Sequence, residues 1–105
     1  RPFVAAGAAM AAALAGDASR ARALAAESRR LLDAAPDAFN AAFLPAILGP
    51  AFIVLGDHDA AFAELHQMMS SAGDSSPASI RHDPFWSRLA TDPRFAATLA
   101  EARPL

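Results

Sequence analysis

The stretch from Leu48 to Met69, LGPAFIVLGDHDAAFAELHQMM, predicts the end of one helix, a tight turn and a second, amphipathic helix. Gly56 favours the left-handed conformation that ends helices, and Asp57 or Asp59 can accept hydrogen bonds from the free N–H groups of the next helix. Beyond the turn, apolar side chains follow the period of one helix face. They are Ala61, Phe62, Leu65, Met68 and Met69. The stretch therefore predicts a helical hairpin.

An earlier stretch has the same layout around Gly16-Asp17, which precedes Gly56-Asp57 by 40 residues. We expect Gly16 to end a first helix and either Asp17 or Ser19 to cap a second one over about residues 18–34. Apolar spacing predicts that the first helix buries one face. That predicted face consists of Phe3, Gly7, Met10 and Leu14.

Between the two hairpins, prolines interrupt the helical pattern. A short helix capped by Asp37 is plausible before Pro45, where we expect either a kink or the start of a fresh helix. Because Pro50 follows within a turn and a half, we expect the start of this helix to be irregular. The range 46–55 is apolar on nearly all sides, which is typical of a helix buried between neighbours.

The last third of the chain combines a loop with two short helices. Residues 70–79, SSAGDSSPAS, predict an exposed, mobile loop. Asp83-Pro84 and Asp92-Pro93 each place a capping aspartate before a proline, which is a strong helix start. We expect helices over about 84–90 and 93–102, with a frayed end after them. Their predicted contacts with the body are Trp86, Leu89, Phe95 and Leu99.

Composition restricts the class of protein. The 105 residues suit one domain, and 54% of them are apolar, with only two Val, three Ile and no Tyr, so an all-α fold is favoured. The absence of cysteine excludes disulfides and cysteine nucleophiles. A net charge of −2 argues against a nucleic-acid-binding module. The sequence contains no stretch of about 18 or more strongly apolar residues, so we expect no transmembrane helix.

The second hairpin resembles the tetratricopeptide repeat, a helix-pair repeat of about 34 residues. Leu48-Gly49 occupies the position of the family's Leu-Gly pair, Phe52 that of its aromatic residue, and Gly56-Asp57 and Ala61 follow in register. The first hairpin is a degenerate copy in which Ala8-Ala9 replaces Leu-Gly, and Pro36 is similar to the proline that closes a repeat.

The tail, from Asp83 to Phe95, resembles a segment that follows the last such repeat in bacterial multidomain signalling proteins, including adenylate cyclase-like proteins and winged-helix regulators. The resemblance implies antiparallel helix hairpins stacked as a short α-solenoid with C-terminal capping helices. The expected divisions of the single domain 1–105 are a degenerate repeat 1–36, a second repeat 37–70, a loop 71–80 and capping helices 81–105.

The resemblance also implies a non-catalytic protein–protein interaction or oligomerisation module, forming the C-terminal part of a larger cytoplasmic protein. Its partner would be a protein, either another molecule or a second copy in a homodimer, and the expected groove lining is Pro45, Leu48 and Phe52. Two alternatives remain open. One is a small-molecule sensor with an apolar pocket beside helix 46–55, and the other is the structural terminus of a larger enzyme.

No pattern in the sequence predicts catalysis or a cofactor. His58 and His66, together with Asp57, Asp59 and Glu64, are residue types that bind metal ions. However, His58 and His66 are two helical turns apart, and the two aspartates already serve as candidate caps. Acid–base catalysis needs groups that converge in a pocket, and no such set is indicated. We therefore expect no metal site and no enzyme activity.

Overall fold

The computed structural model describes residues 2–34, 38–70 and 76–101, and within these ranges it contains helices and no strand. The helices are α1 Pro2–Leu14, α2 Ala18–Ala34, α3 Ala38–Leu55, α4 His58–Ser70, α5 Pro77–His82, a 3₁₀ helix Trp86–Leu89 and α6 Pro93–Leu99. The predicted all-α class is confirmed. Helix α1 packs against α2 and α3, α3 packs against α4, and α6 packs against α4.

The two Gly-Asp turns have the same hydrogen-bonded geometry. Gly16 and Gly56 have positive φ angles of 81° and 77°. In each turn the glycine N–H donates to the carbonyl three residues back, and the aspartate N–H donates to the carbonyl five residues back. Asp17 and Asp57 each accept a hydrogen bond from the N–H three residues ahead, at 3.1 and 3.2 Å. Both turns are as predicted, and the cap in each is the residue directly after glycine.

Helix α1 buries a different face from the one predicted. Its buried residues are all alanines: Ala5, Ala6, Ala9, Ala12 and Ala13. Leu14 is 65% exposed, Gly7 is exposed, and Phe3 and Met10 are only partly buried. The prediction was wrong because α1 has no polar side chain, so apolar spacing cannot select a face. Packing selects the alanine face, since small side chains let α1 lie close to α2 and α3.

Helix α3 continues through both of its prolines. Neither a separate helix before Pro45 nor a fresh start at Pro45 is present, and Pro50 also lies inside the helix. A proline inside a helix costs about 3 kcal/mol or more, so tertiary packing must offset this cost. Leu44 and Leu48 are fully or almost fully buried, and α3 contacts α1, α2, α4 and the 3₁₀ helix. Its predicted burial between neighbours is confirmed. Pro36 and Asp37 lie outside the described residues.

Helix α5 begins within the predicted loop at Pro77 and extends beyond it to His82. Ser76 and Ser79 form a capping box, in which each backbone N–H donates to the other residue's hydroxyl, at 3.2 and 3.1 Å. Pro77 then occupies the first turn, where its missing N–H costs nothing. The loop prediction is therefore wrong for Ser70, which ends α4, and for residues 77–79, which lie in α5, whereas residues 71–75 lie outside the described part of the chain.

The tail is a short 3₁₀ helix followed by α6, both shorter than predicted. All four predicted contact residues are buried: Trp86, Leu89, Phe95 and Leu99. Asp83 accepts hydrogen bonds from the backbone N–H groups of Phe85 and Trp86, at 2.8 and 3.2 Å, and Asp92 caps α6. The tail therefore packs on the body as expected, and its last residues, 102–105, lie outside the described range.

The tail joins the core where α3 lacks a side chain. Trp86 lies directly over Gly49, so that a Cβ atom built on Gly49 would overlap the Cη2 and Cζ2 atoms of the indole. Trp86 belongs to a buried cluster with residues of α4 and α6, among them Leu65 and Phe95, and Phe52 packs against this cluster and against the α1–α2–α3 core. The tail therefore packs against α3 and α4, while α1 and α2 share the other core clusters with α3.

Candidate docking surface

The outer face of α1 carries the most exposed large apolar side chains among the described residues. Val4 is 68% exposed and Leu14 is 65% exposed. Gly7 and Ala11 lie between them on the same face and are also exposed. Because α1 contains no polar side chain, no hydrogen-bonding or charged side chain of α1 faces the water there. A helix that is apolar on all sides is ordinarily buried.

This face continues into an open groove between α1 and α2. The groove has a volume of about 390 Å³ and is lined by Val4, Ala5, Ala8, Leu24, Glu27 and Leu31. Five of these six residues are apolar. We call the combined patch the docking surface and define it by its exposed and partly exposed members: Val4, Gly7, Ala8, Ala11, Leu14, Arg20, Leu24, Glu27 and Leu31.

Charges border the docking surface on the α2 side. Arg30 donates two hydrogen bonds to the Glu27 carboxylate, Nε to Oε2 at 3.0 Å and Nη2 to Oε1 at 2.6 Å. The hydrogen bond from Arg30 lowers the pKa of Glu27, so the carboxylate is ionised at neutral pH. Arg20 lies two helical turns before Glu27 and is exposed. The rim therefore carries both signs of charge.

A partly buried ion pair joins α2 to α4 on the side of α2 away from the docking surface. Glu64 of α4 is 7% exposed and accepts two hydrogen bonds from the Arg29 guanidinium, one of them from Nη2 to Oε2 at 2.7 Å. Burial raises the pKa of Glu64, and the Arg29 charge offsets part of that rise. The pair joins the two hairpins and was not predicted. Its signal was available, since Glu64 falls on the same helical stripe as Ala61, Leu65 and Met68.

The three residues predicted to line a binding groove do not form part of the docking surface. Pro45 and Leu48 are almost completely buried, and Phe52 is partly buried between two core clusters. The structure brings them together as the packing centre of α3. Their role as a lining stays a prediction, and in this arrangement Pro45 and Leu48 offer almost no surface to a partner.

Three of the candidate metal ligands each contact a different residue instead of one another. Glu64 pairs with Arg29, Asp59 Oδ1 lies 2.6 Å from Nη1 of Arg94, and His66 Nδ1 lies 2.7 Å from a carboxylate oxygen of Glu101. Within the described ranges, no three His, Cys, Asp or Glu side chains form a group that could hold a metal ion. The Glu64 and Asp59 contacts are ion pairs between helices, and the His66 contact joins α4 to the segment that follows α6.

None of the helices in the described ranges combines the length and the apolar character that crossing a membrane requires. Comparisons with protein-family models, with curated proteins and with solved structures find no match.

Proposed function

We propose that this chain is a non-catalytic helical module that binds a protein partner through the docking surface. The proposal includes the tetratricopeptide-type hairpin repeat, a place as the C-terminal part of a larger bacterial signalling or regulatory protein, and a cytoplasmic location. Two hairpins with the same Gly-Asp turn support the repeat, since both turns have the same φ sign and the same hydrogen bonds.

The observation that best supports the proposal is the solvent-exposed apolar face of α1. Val4 and Leu14 expose about two thirds of their surface, although the same helix buries five alanines. Contiguous apolar patches on a folded protein mark interaction sites, whereas single exposed apolar residues do not. Here the exposed residues are continuous along α1 and extend into the groove at Leu24 and Leu31. Covering them removes apolar surface from water without burying an unpaired polar side chain of α1.

The expected partner presents an apolar helix face. An amphipathic helix fits a groove between two helices, with anchors spaced at three and four residues. The rim charges of Glu27 and Arg30 would then lie beside the polar side of the partner helix. Such rim charges contribute more to orientation and to the rate of association than to affinity.

The test is to change the docking surface and to measure association. Val4→Glu introduces a charge at the end of the apolar face that borders the groove, and because Val4 is mostly exposed the fold should be retained. Sedimentation velocity of the wild-type chain, alone and with a designed amphipathic helical peptide carrying a leucine face, should show a complex in at least one case. The Val4→Glu chain should form neither complex.

Ala26→Glu is the matched control, because Ala26 is exposed on the side of α2 away from the groove. It introduces the same charge into the same hairpin and should leave association unchanged. If the wild-type chain binds neither itself nor the peptide, or if both glutamate variants behave alike, the docking function is wrong.

A further inference from the structure

We propose that the partner seated on the docking surface is a second copy of this chain, related by a two-fold axis that sets the two α1 helices antiparallel. The inference rests on the proposed function and specifies its partner. A symmetric pair must use a self-complementary patch, in which each residue faces its symmetry equivalent or a residue that complements it. The docking surface has this property on both of its helices.

On α1, the exposed residues are arranged symmetrically along the helix. Val4 and Leu14 lie equally far from Ala9, and so do Gly7 and Ala11. In an antiparallel pair centred on Ala9, Val4 of one copy therefore meets Leu14 of the other, and Gly7 meets Ala11. The large side chains lie at the ends and the small ones at the centre, so the two helices can cross closely.

On α2, the charges are arranged so that opposite signs meet. Arg20 and Glu27 are seven residues apart, which places them on one face of α2, and Leu24 lies between them. Their midpoint lies beside Ala9, because the neighbouring Ala8 lines the groove together with Leu24. The axis that makes α1 antiparallel to its copy also places α2 over the other α2. Glu27 of one copy then lies opposite Arg20 of the other, twice per dimer.

The result is an apolar centre bordered by two complementary charge pairs. No charged side chain of α1 is buried, since α1 carries none. In a parallel pair the two α2 helices would lie on opposite sides of the paired α1 helices, so Arg20 and Glu27 would not meet and both complementary charge pairs would be lost. The charges therefore select the antiparallel pair over the parallel one.

Single cysteines test the geometry directly, because the natural chain contains no cysteine. Val4→Cys and Leu14→Cys proteins, mixed and oxidised, should give a disulfide-linked dimer. Val4→Cys alone should give much less, since two copies of residue 4 would be about 15 Å apart in the antiparallel pair, beyond disulfide reach. Ala26→Cys is the control for random collision and should not cross-link with either variant above background.

A charge exchange tests the orientation independently. Glu27→Arg should weaken self-association by about tenfold or more, because it places arginine opposite arginine. Adding Arg20→Glu in the same chain should restore it. Efficient cross-linking of Val4→Cys with itself, or no rescue by the double variant, would overturn the antiparallel pair. If the wild-type chain stays monomeric in light scattering but binds the helical peptide, the proposal that a second copy is the partner is wrong. The proposed function is then unaffected.

Discussion

Glu64 shows how the environment of one residue links packing to pH. The carboxyl group is buried between α2 and α4, and its pKa is raised because burial penalises the charged form more than Arg29 favours it. Its ordinary pKa of 4.5 applies in the unfolded chain. Across the window from this value up to the raised pKa, the folded state binds more protons than the unfolded state. The Glu64 contribution to stability therefore falls as the pH rises through that window.

Glu64→Gln should remove this pH dependence. Glutamine keeps the size of the side chain and an oxygen that can accept a hydrogen bond from Arg29, but it does not titrate. We expect the free energy of unfolding of the wild-type chain, relative to that of Glu64→Gln, to decrease from pH 4 towards pH 7. Urea denaturation of both proteins across this range measures the difference, and the other carboxyl groups cancel. A difference that instead grows with pH would mean that Arg29 lowers the pKa of Glu64 below its ordinary value.

At the scale of elements, the packing of the tail against α3 depends on Gly49. Because the Trp86 indole occupies the space of a Gly49 side chain, Gly49→Ala should destabilise the fold by about 1–3 kcal/mol through overpacking. Gly7→Ala, measured at a protein concentration low enough for the chain to be monomeric, is the matched control, since no neighbouring atom of the single chain lies within 4 Å of a Cβ at Gly7. This control should stabilise the fold by about 0.5–1 kcal/mol through helix propensity alone. Urea denaturation at one pH measures both changes.

A double-mutant cycle separates the contact with Trp86 from other effects of the alanine. Trp86→Ala alone should cost about 3–5 kcal/mol, because Trp86 is 2% exposed. In that background the overlap is gone, and Gly49→Ala should be neutral or stabilising, as Gly7→Ala is. If Gly49→Ala lowered the free energy of unfolding equally with and without the indole, Trp86 would not pack against Gly49 of α3.

The elements with local chemical signals could be predicted from the sequence. Glycine at a positive φ angle and aspartate as a cap act through neighbouring backbone groups, so both hairpin turns and the start of α6 are encoded locally. Pro45 also predicts, from local geometry, that a helix stops before it, yet α3 continues through Pro45. That outcome depends on burial against α1 and α4, which are distant in sequence, and local propensity cannot include it.

The candidate site could not be predicted in the same way. An amphipathic helix reveals its buried face by the contrast between apolar and polar positions, as α4 does. Helix α1 has no such contrast, so its buried face is the one that packs best against α2 and α3. That face is the one formed by the alanines. The surface left outside, with Val4 and Leu14, is visible only after the hairpins are assembled. The same assembly places Pro45 and Leu48 in the core.

For the whole molecule, self-association through the docking surface should couple stability to protein concentration. If only folded chains pair, dimerisation shifts the unfolding equilibrium by mass action. Each tenfold rise in concentration adds about 1.4 kcal/mol per dimer, or about 0.7 kcal/mol per chain. For a domain of this size we expect Tm to rise by about 3–5 °C per tenfold increase once dimers predominate. Differential scanning calorimetry over a roughly hundredfold concentration range measures this rise.

The two glutamate variants separate pairing from intrinsic stability. Val4→Glu should show a Tm that does not change with concentration, because a charge facing Leu14 of the other copy opposes pairing. At low concentration its Tm should match that of the wild-type chain, since Val4 contributes little buried surface to the monomer. Ala26→Glu should keep the concentration dependence. A constant Tm in the wild-type chain would overturn self-pairing, and binding of the helical peptide would then decide whether the apolar face of α1 is a docking surface, because the energetic reason for covering it does not depend on which partner does so.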